Sequence, residues 1–124
     1  MPFLRFKGFE KNSLINFSSL IIEQFSNLAN VPKEIVKMEL INVEQITYSP
    51  MSVEILMFQR KKEIHDEIAK MMYRILSEHG FTHTHIFFIM LTPSFYYKEG
   101  LPLNEIPMLK NHDQDSEPSE ARIW

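Results

Sequence analysis

Apolar and polar residues first alternate and then recur at helical spacing, which predicts a strand followed by a helix. The alternation covers residues 2–9 and is typical of a strand with one buried face. Asn12 or Ser13 is expected to cap the helix, which runs to about Ala29 before a Pro-containing break. Its apolar stripe consists of Leu14, Phe17, Ile21, Phe25 and Leu28.

Two further strands are predicted in the middle of the chain. The first covers residues 36–48, and its apolar positions change from even to odd at Ile41, which predicts either a bulge or a strand covered on both faces. After a turn at Pro50, residues 53–58 are apolar at every position except Glu54. A run of this kind predicts a central strand with both faces buried.

The second half of the chain repeats the order of the first, a helix followed by a strand. Residues 61–79 have apolar positions at helical spacing, and Gly80 is expected to end this helix. Within it, His65 has acidic neighbours, which predicts a solvated charged face. Residues 83–91 form the fourth predicted strand, and residues 95–100 predict a short edge strand or hairpin.

The predicted fold class is α/β (α+β), a duplicated β-α-β unit. Helical crossovers favour parallel strand pairs, so two helices would cover one face of a four-stranded mixed sheet. The other face would be partly apolar and would need cover, for which oligomerisation is the natural solution. A ferredoxin-like sensor domain, with a similar element order but antiparallel strand pairing, is an alternative.

Composition sets the domain organisation. The 124 residues, 44% of them hydrophobic, can build one core. We expect a domain over residues 1–109, followed by a polar, acidic tail over residues 110–124 that is disordered. The chain has no cysteine, so neither disulfides nor thiolate metal sites are expected, and a cytoplasmic location fits best.

Charge and hydropathy argue against two classes of partner. The net charge is -3, and outside the acidic tail the chain is almost neutral, which argues against nucleic acid as a partner. No apolar run approaches the roughly 20 residues of a membrane-spanning helix, so no membrane partner is expected.

The chain lacks the motifs of cofactor and metal chemistry. It has no Gly-rich phosphate loop and no nucleophile elbow, so no cofactor is predicted. His83 and His85 have a two-residue spacing seen in metal sites, but neither a cysteine nor an acidic cluster accompanies them. They are interpreted as polar residues at the entry of a strand, and no metal site is predicted.

In three sequence features the chain resembles the tautomerase superfamily, in particular its macrophage migration inhibitory factor and 5-carboxymethyl-2-hydroxymuconate isomerase branch. The chain starts with Met-Pro leading directly into a strand, and Pro32 is followed by Val36 and Lys37. A late Leu-Thr-Pro-Ser-Phe stretch, residues 91–95, is the third feature. The similarity covers about residues 2–103 and is greatest to an uncharacterised bacterial branch.

The resemblance implies a cofactor-free tautomerase or isomerase of a small unsaturated or α-keto carboxylate. After removal of Met1, the amine of Pro2 would be the general base, and shielding by Phe3 would favour its neutral form. Lys37 would bind the substrate carboxylate, and Tyr96 would contact ligand. The resemblance also implies a homotrimer with pockets between subunits.

Each of these residues also has a purely structural interpretation. Pro2 can simply start a strand, Lys37 can be the solvated member of an alternating pattern, and Tyr96 can pack the edge of the sheet. Lys37 stands where relatives have Arg, and the second cation of some relatives is replaced by Asn12. A non-catalytic binding or structural module on the same fold is therefore the alternative function.

Overall fold

A computed structural model describes residues 1–103 of the chain. The predicted tail lies outside these residues. Two β-α-β halves follow each other along the chain, and a short hairpin closes the described part. The strands are β1 (Phe3–Lys7), β2 (Lys37–Ile41), β3 (Met51–Phe58), β4 (Thr84–Leu91), β5 (Tyr97–Lys98) and β6 (Leu101–Pro102), and the helices are α1 (Lys11–Ala29) and α2 (Lys62–Glu78).

The four long strands form one mixed sheet in the order β2-β1-β3-β4. β1 is parallel to β2 and β3 is parallel to β4, as helical crossovers require, whereas β1 and β3 are antiparallel. This confirms the predicted fold class and places β3 in the interior of the sheet. The two parallel pairs exclude the ferredoxin-like alternative, in which the pairing is antiparallel.

Both helices pack on one face of the sheet, where the core lies. Leu4 and Phe6 of β1 are fully buried there, together with Ile55 of β3. The helices contribute the apolar stripes that their spacing predicts, because residues three or four apart share a helix face. The fully buried members from the helices are Ile21, Phe25, Ile68, Met72, Ile75 and Leu76.

The face of the sheet away from the helices is partly charged and partly apolar. Arg5 and Lys7 project from this face and pair with carboxylates of the two neighbouring strands, Arg5 with Glu39 at 3.6 Å and Lys7 with Glu54 at 2.6 Å. On β4, Phe87 and Ile89 are 42% and 40% exposed. The described chain therefore leaves apolar surface uncovered at the β4 edge, as the sequence predicts.

The predicted second strand is too long. β2 ends at Ile41 because β1, which pairs with it residue by residue, has only five residues. Among residues 1–103 the segment beyond it has no strand partner, and Val43, Ile46 and Tyr48 are exposed. The change of apolar parity at Ile41 thus marks the end of a strand and neither a bulge nor a doubly covered strand.

The predicted helix cap is also wrong. Glu10 is the N-cap of α1, because its carbonyl accepts the first helical hydrogen bond from the Leu14 N–H at 3.1 Å. Ser13 lies inside the first turn and donates its hydroxyl to the Glu10 carboxylate at 3.0 Å. α1 therefore begins earlier than predicted, because its N-cap residue makes no side-chain capping bond.

The short segment after β4 is a hairpin. β5 and β6 are antiparallel, and the turn between them contains Glu99 and Gly100, both with positive φ. Two consecutive residues of this kind are typical of the tight turn that favours a hairpin. The hairpin alternative of the sequence prediction is therefore confirmed.

Replacing Gly8 by Ala is expected to destabilise the fold more than the same change at Gly80. Both glycines have a φ near +90°, so each alanine would carry a backbone cost of about 1 kcal/mol. A Cβ at Gly8 would also approach the Met51 Cγ to 3.1 Å and its Cα to 3.3 Å, whereas one at Gly80 would meet nothing within 4 Å. Gly8→Ala should therefore lose about 1 kcal/mol more in urea unfolding. Equal losses would contradict this packing.

Candidate active site

The start of the chain lies at one end of the sheet, beside the ends of two neighbouring strands. Because β1 is parallel to β2 and antiparallel to β3, the first residues lie beside the start of β2 and the end of β3. The Pro2 carbonyl accepts the N–H of Lys37 at 3.0 Å. One residue earlier, the α-amine of Met1 donates to the Ile35 carbonyl at 3.3 Å. These bonds fix both residues against the body of the domain.

A small cleft surrounds these two residues. We call it the terminal cleft, and its lining consists of Met1, Pro2, Ala29, Val31, Met57, Phe58 and Arg60. Met1 is only 5% exposed and belongs to the hydrophobic core. The space left beside it is about 10 Å³, roughly enough for one water molecule. Loss of Met1 would therefore enlarge the cleft considerably.

The terminal cleft disfavours a charged amine. Burial, with the positive charge of Lys37 as a smaller cause, lowers the pKa of the Met1 α-amine from 8.0 to about 5. Burial removes water from the ammonium, and a like charge nearby raises its energy further. The Met1 α-amine is thus largely neutral near pH 7.

Arg60 is a cation of the terminal cleft that the sequence analysis missed. Its guanidinium donates to two backbone carbonyls, to Ala29 from Nε and Nη2 at 3.3 Å each and to Phe58 from Nη1 at 3.1 Å. These bonds use three of its five N–H groups. Within residues 1–103, no carboxylate lies within ion-pair distance of it. Burial lowers the pKa of Arg60, but an arginine guanidinium keeps its charge in proteins.

The position of Arg60 in the terminal cleft follows from the direction in which β3 runs beside β1. Arg60 comes just after β3, and an antiparallel β1–β3 pair brings the end of β3 beside the start of the chain. The apolar pattern of β3 predicts where that strand ends but not which neighbour it pairs with. The signal in the sequence was therefore a basic residue that follows a buried strand. That signal indicates a site residue only once the antiparallel β1–β3 pairing is known.

The predicted binding residues lie around the terminal cleft rather than in its lining. Lys37 is exposed, and its Nζ donates to the Glu34 carbonyl at 3.1 Å. Its charge nevertheless acts on the terminal amine. Phe3 is half-buried directly opposite Lys37 on the neighbouring strand.

Tyr96 is connected to the terminal cleft through another aromatic ring. It packs edge-on against Phe58, with the ring centroids 5.8 Å apart, and Phe58 lines the cleft. Burial raises the pKa of the Tyr96 phenol, which therefore stays protonated at neutral pH. The structure thus groups Pro2 with Arg60 and places Tyr96 one residue further out.

His65 is buried, so the prediction of a solvated face is wrong. The side chain is 5% exposed, and its ring meets Phe88 of β4 edge-on with centroids 4.5 Å apart. Its position three residues before Ile68 puts it on the inner stripe of α2, and this spacing was the signal available in the sequence. Its Nε2 accepts the backbone N–H of Arg60 at 2.9 Å.

Residues 1–103 contain neither a candidate metal site nor a membrane-spanning helix. No group of three or more His, Cys, Asp or Glu residues there could hold a metal ion. In the same part of the chain, no helix is long and apolar enough to cross a membrane.

Comparisons with known proteins identify a family and a fold. A family model described as a domain of unknown function, DUF1904, matches residues 1–102. No curated protein matches the chain. A protein of unknown function from Vibrio cholerae has a similar solved structure, with a TM-score of 0.76 and 24% identity over 82% of this chain and 87% of that one.

Two other solved structures match this chain at lower sequence identity. The macrophage migration inhibitory factor from Trichinella spiralis matches with a TM-score of 0.66 and 11% identity, over 82% of this chain and 99% of that one. A fused 4-OT symmetric trimer matches with a TM-score of 0.61 and 14% identity, over 81% and 97%. At these identities the likeness concerns the fold, which is tautomerase-like.

Proposed function

Since the chain belongs to the DUF1904 family and has a tautomerase-like fold, we propose that it is a cofactor-free tautomerase or isomerase of a small unsaturated or α-keto carboxylate. Its general base is the secondary amine of Pro2, exposed in the terminal cleft by removal of Met1. Proline at the second position is small enough to permit that removal. Arg60 and Lys37 hold the carboxylate of the substrate.

One observation carries this proposal: a desolvated chain-terminal amine shares a small cleft with a cation that has no carboxylate partner among residues 1–103. The environment that lowers the pKa of the Met1 amine to about 5 would also disfavour the charged form of a Pro2 amine. Arg60 lines the same cleft and has two N–H groups outside its backbone bonds. A base and an anion-binding group therefore lie within one site.

The proposed chemistry moves one proton. The free Pro2 amine takes a proton from the carbon next to the substrate carbonyl, and the C–H electrons form a C=C bond while the carbonyl electrons move to oxygen. The neighbouring cations stabilise the enolate formed. The protonated amine then returns the proton to the substrate at another position, which completes the isomerisation and restores the base.

Phe3 and Tyr96 are proposed to shape the mouth of the terminal cleft. Phe3 precedes the buried part of β1, and Tyr96 packs on the lining residue Phe58. We also propose a homotrimer. The exposed Phe87 and Ile89 support this assembly because they leave apolar surface to be covered, and a trimer is named among the proteins of similar fold.

A second candidate function is a binding or structural module without catalysis. The observation that favours it is the packing of Met1, which leaves about 10 Å³ in the terminal cleft. While Met1 is present, the Pro2 nitrogen is an amide and cannot act as a base. Catalysis therefore requires that Met1 be removed, whereas the binding module is compatible with its retention.

The test is to compare the processed protein with a form that retains Met1. We expect the intact mass of the processed protein to lack one methionine and its solution mass to be that of a trimer. The protein should also accelerate the conversion of the enol of phenylpyruvate to its keto form, which is the proposed proton transfer in reverse. The Met1-retaining form should show only the uncatalysed rate. A processed protein that shows only the uncatalysed rate, or Met1 retained in the native protein, would leave the binding-module function. Equal catalysed rates for the two forms would exclude the Pro2 amine as the base.

A further inference from the structure

His65 binds the backbone of the residue that brings a cation into the terminal cleft. Its Nε2 accepts the Arg60 N–H at 2.9 Å, so the ring must be unprotonated at Nε2 and carry its proton at Nδ1. Nδ1 is buried and makes no hydrogen bond within residues 1–103. The hydrogen bond to Arg60 is thus the polar contact that fixes this ring.

The hydrogen bond fixes the turn between β3 and α2. The N-cap of α2, Lys61, makes no side-chain capping bond. Instead, His65 in the first turn of the helix reaches back to Arg60, one residue before the cap. The Arg60 backbone is therefore held by His65, while its guanidinium is held by the carbonyls of Ala29 and Phe58.

We propose that His65 is a positioning residue, which in its neutral form holds Arg60 at the terminal cleft and on protonation releases it. This inference rests on the proposed function only in that Arg60 is taken to bind the substrate carboxylate. A protonated imidazole has two donors and no acceptor, so it cannot accept the Arg60 N–H. It would also place a second positive charge beside the guanidinium.

Most of the surroundings of His65 oppose protonation of its ring, and only one of the named groups favours it. Burial is the largest cause that lowers the pKa of His65, followed by the charge of Arg60, while Lys62 makes a smaller contribution in the same direction. Asp66 acts in the opposite direction. The N-terminal end of α2 also disfavours a cation, and β4 contributes the uncharged ring of Phe88. Release of Arg60 is therefore expected in mild acid.

An NMR titration of the native protein tests this inference without any substitution. The backbone and Nε signals of Arg60 should shift together with the His65 ring, with one midpoint below the ordinary histidine value of about 6.5. In His65→Gln, whose side-chain oxygen can accept but does not titrate, the Arg60 signals should be flat over this range. His79→Gln is the control, because His79 contacts the Ile75 carbonyl and should leave the titration unchanged.

A kinetic readout separates positioning from a general loss of structure. At pH 7.5, His65→Phe keeps a ring but removes the acceptor, and KM for phenylpyruvate should rise about tenfold with kcat changed by less than about twofold. His65→Gln should restore most of the native KM.

Two results would overturn the inference. One is an Arg60 amide that does not respond while the His65 ring titrates, and the other is a His65→Gln protein that titrates like the native one. If the native protein shows no turnover at all, the proposed function fails, but the NMR titration still decides the role of His65.

Discussion

Pro2→Ala in the processed protein is expected to reduce the rate of phenylpyruvate ketonisation by about 10²- to 10⁴-fold, the range that a positioned general base contributes. Alanine is small enough for Met1 to be removed, so the chain would still begin in the terminal cleft. The variant would have a primary amine on a less constrained residue, and the proline ring that fixes the direction of the lone pair would be lost.

The stability of this variant should change little. Pro2 precedes β1 and donates no backbone hydrogen bond, and its carbonyl, which accepts from Lys37, is retained in alanine. Circular dichroism and urea unfolding would provide the control for folding. A Pro2→Ala protein with the native structure and the native rate would exclude the proline amine as the base.

Arg60→Gln is expected to raise KM for phenylpyruvate by about 10- to 100-fold, the loss that corresponds to hydrogen bonds from a charged donor. Glutamine can still donate to one of the carbonyls that Arg60 contacts, but it carries no charge for the substrate carboxylate. Steady-state kinetics at pH 7.5 would measure the effect.

Arg74→Gln is the matched control for this change. Arg74 lies on α2 away from the terminal cleft and bonds to the Gln24 side chain of α1. Its replacement should leave KM within about twofold of the native value, because Arg74 does not line the terminal cleft. Similar effects of the two substitutions would mean that Arg60 has no special role in binding.

The fold could be predicted because each half of the chain has a strong local pattern. The stripes of α1 and α2 and the apolar run of β3 identify their elements without knowledge of their partners. The length of β2 could not be predicted in this way. It depends on the five-residue length of β1, which is a property of a different segment.

The candidate site could be predicted only in part, since it is assembled from distant segments. Pro2 and Lys37 were found through a resemblance, and the structure does bring their backbones into contact. Arg60 depends on the antiparallel pairing of β1 with β3, and no local pattern indicates that pairing. His65 was misassigned because its sequence neighbours are charged, although its position on the helix faces inward.

A ¹⁵N NMR titration of proline-labelled, processed protein tests the central claim most directly, because it observes the Pro2 nitrogen itself. We expect an amine signal that titrates below the range of about 7.7 to 8.0 that is usual for a chain terminus in water. A Pro2 nitrogen that behaves as an amide and does not titrate, or an amine that titrates within that ordinary range, would contradict it.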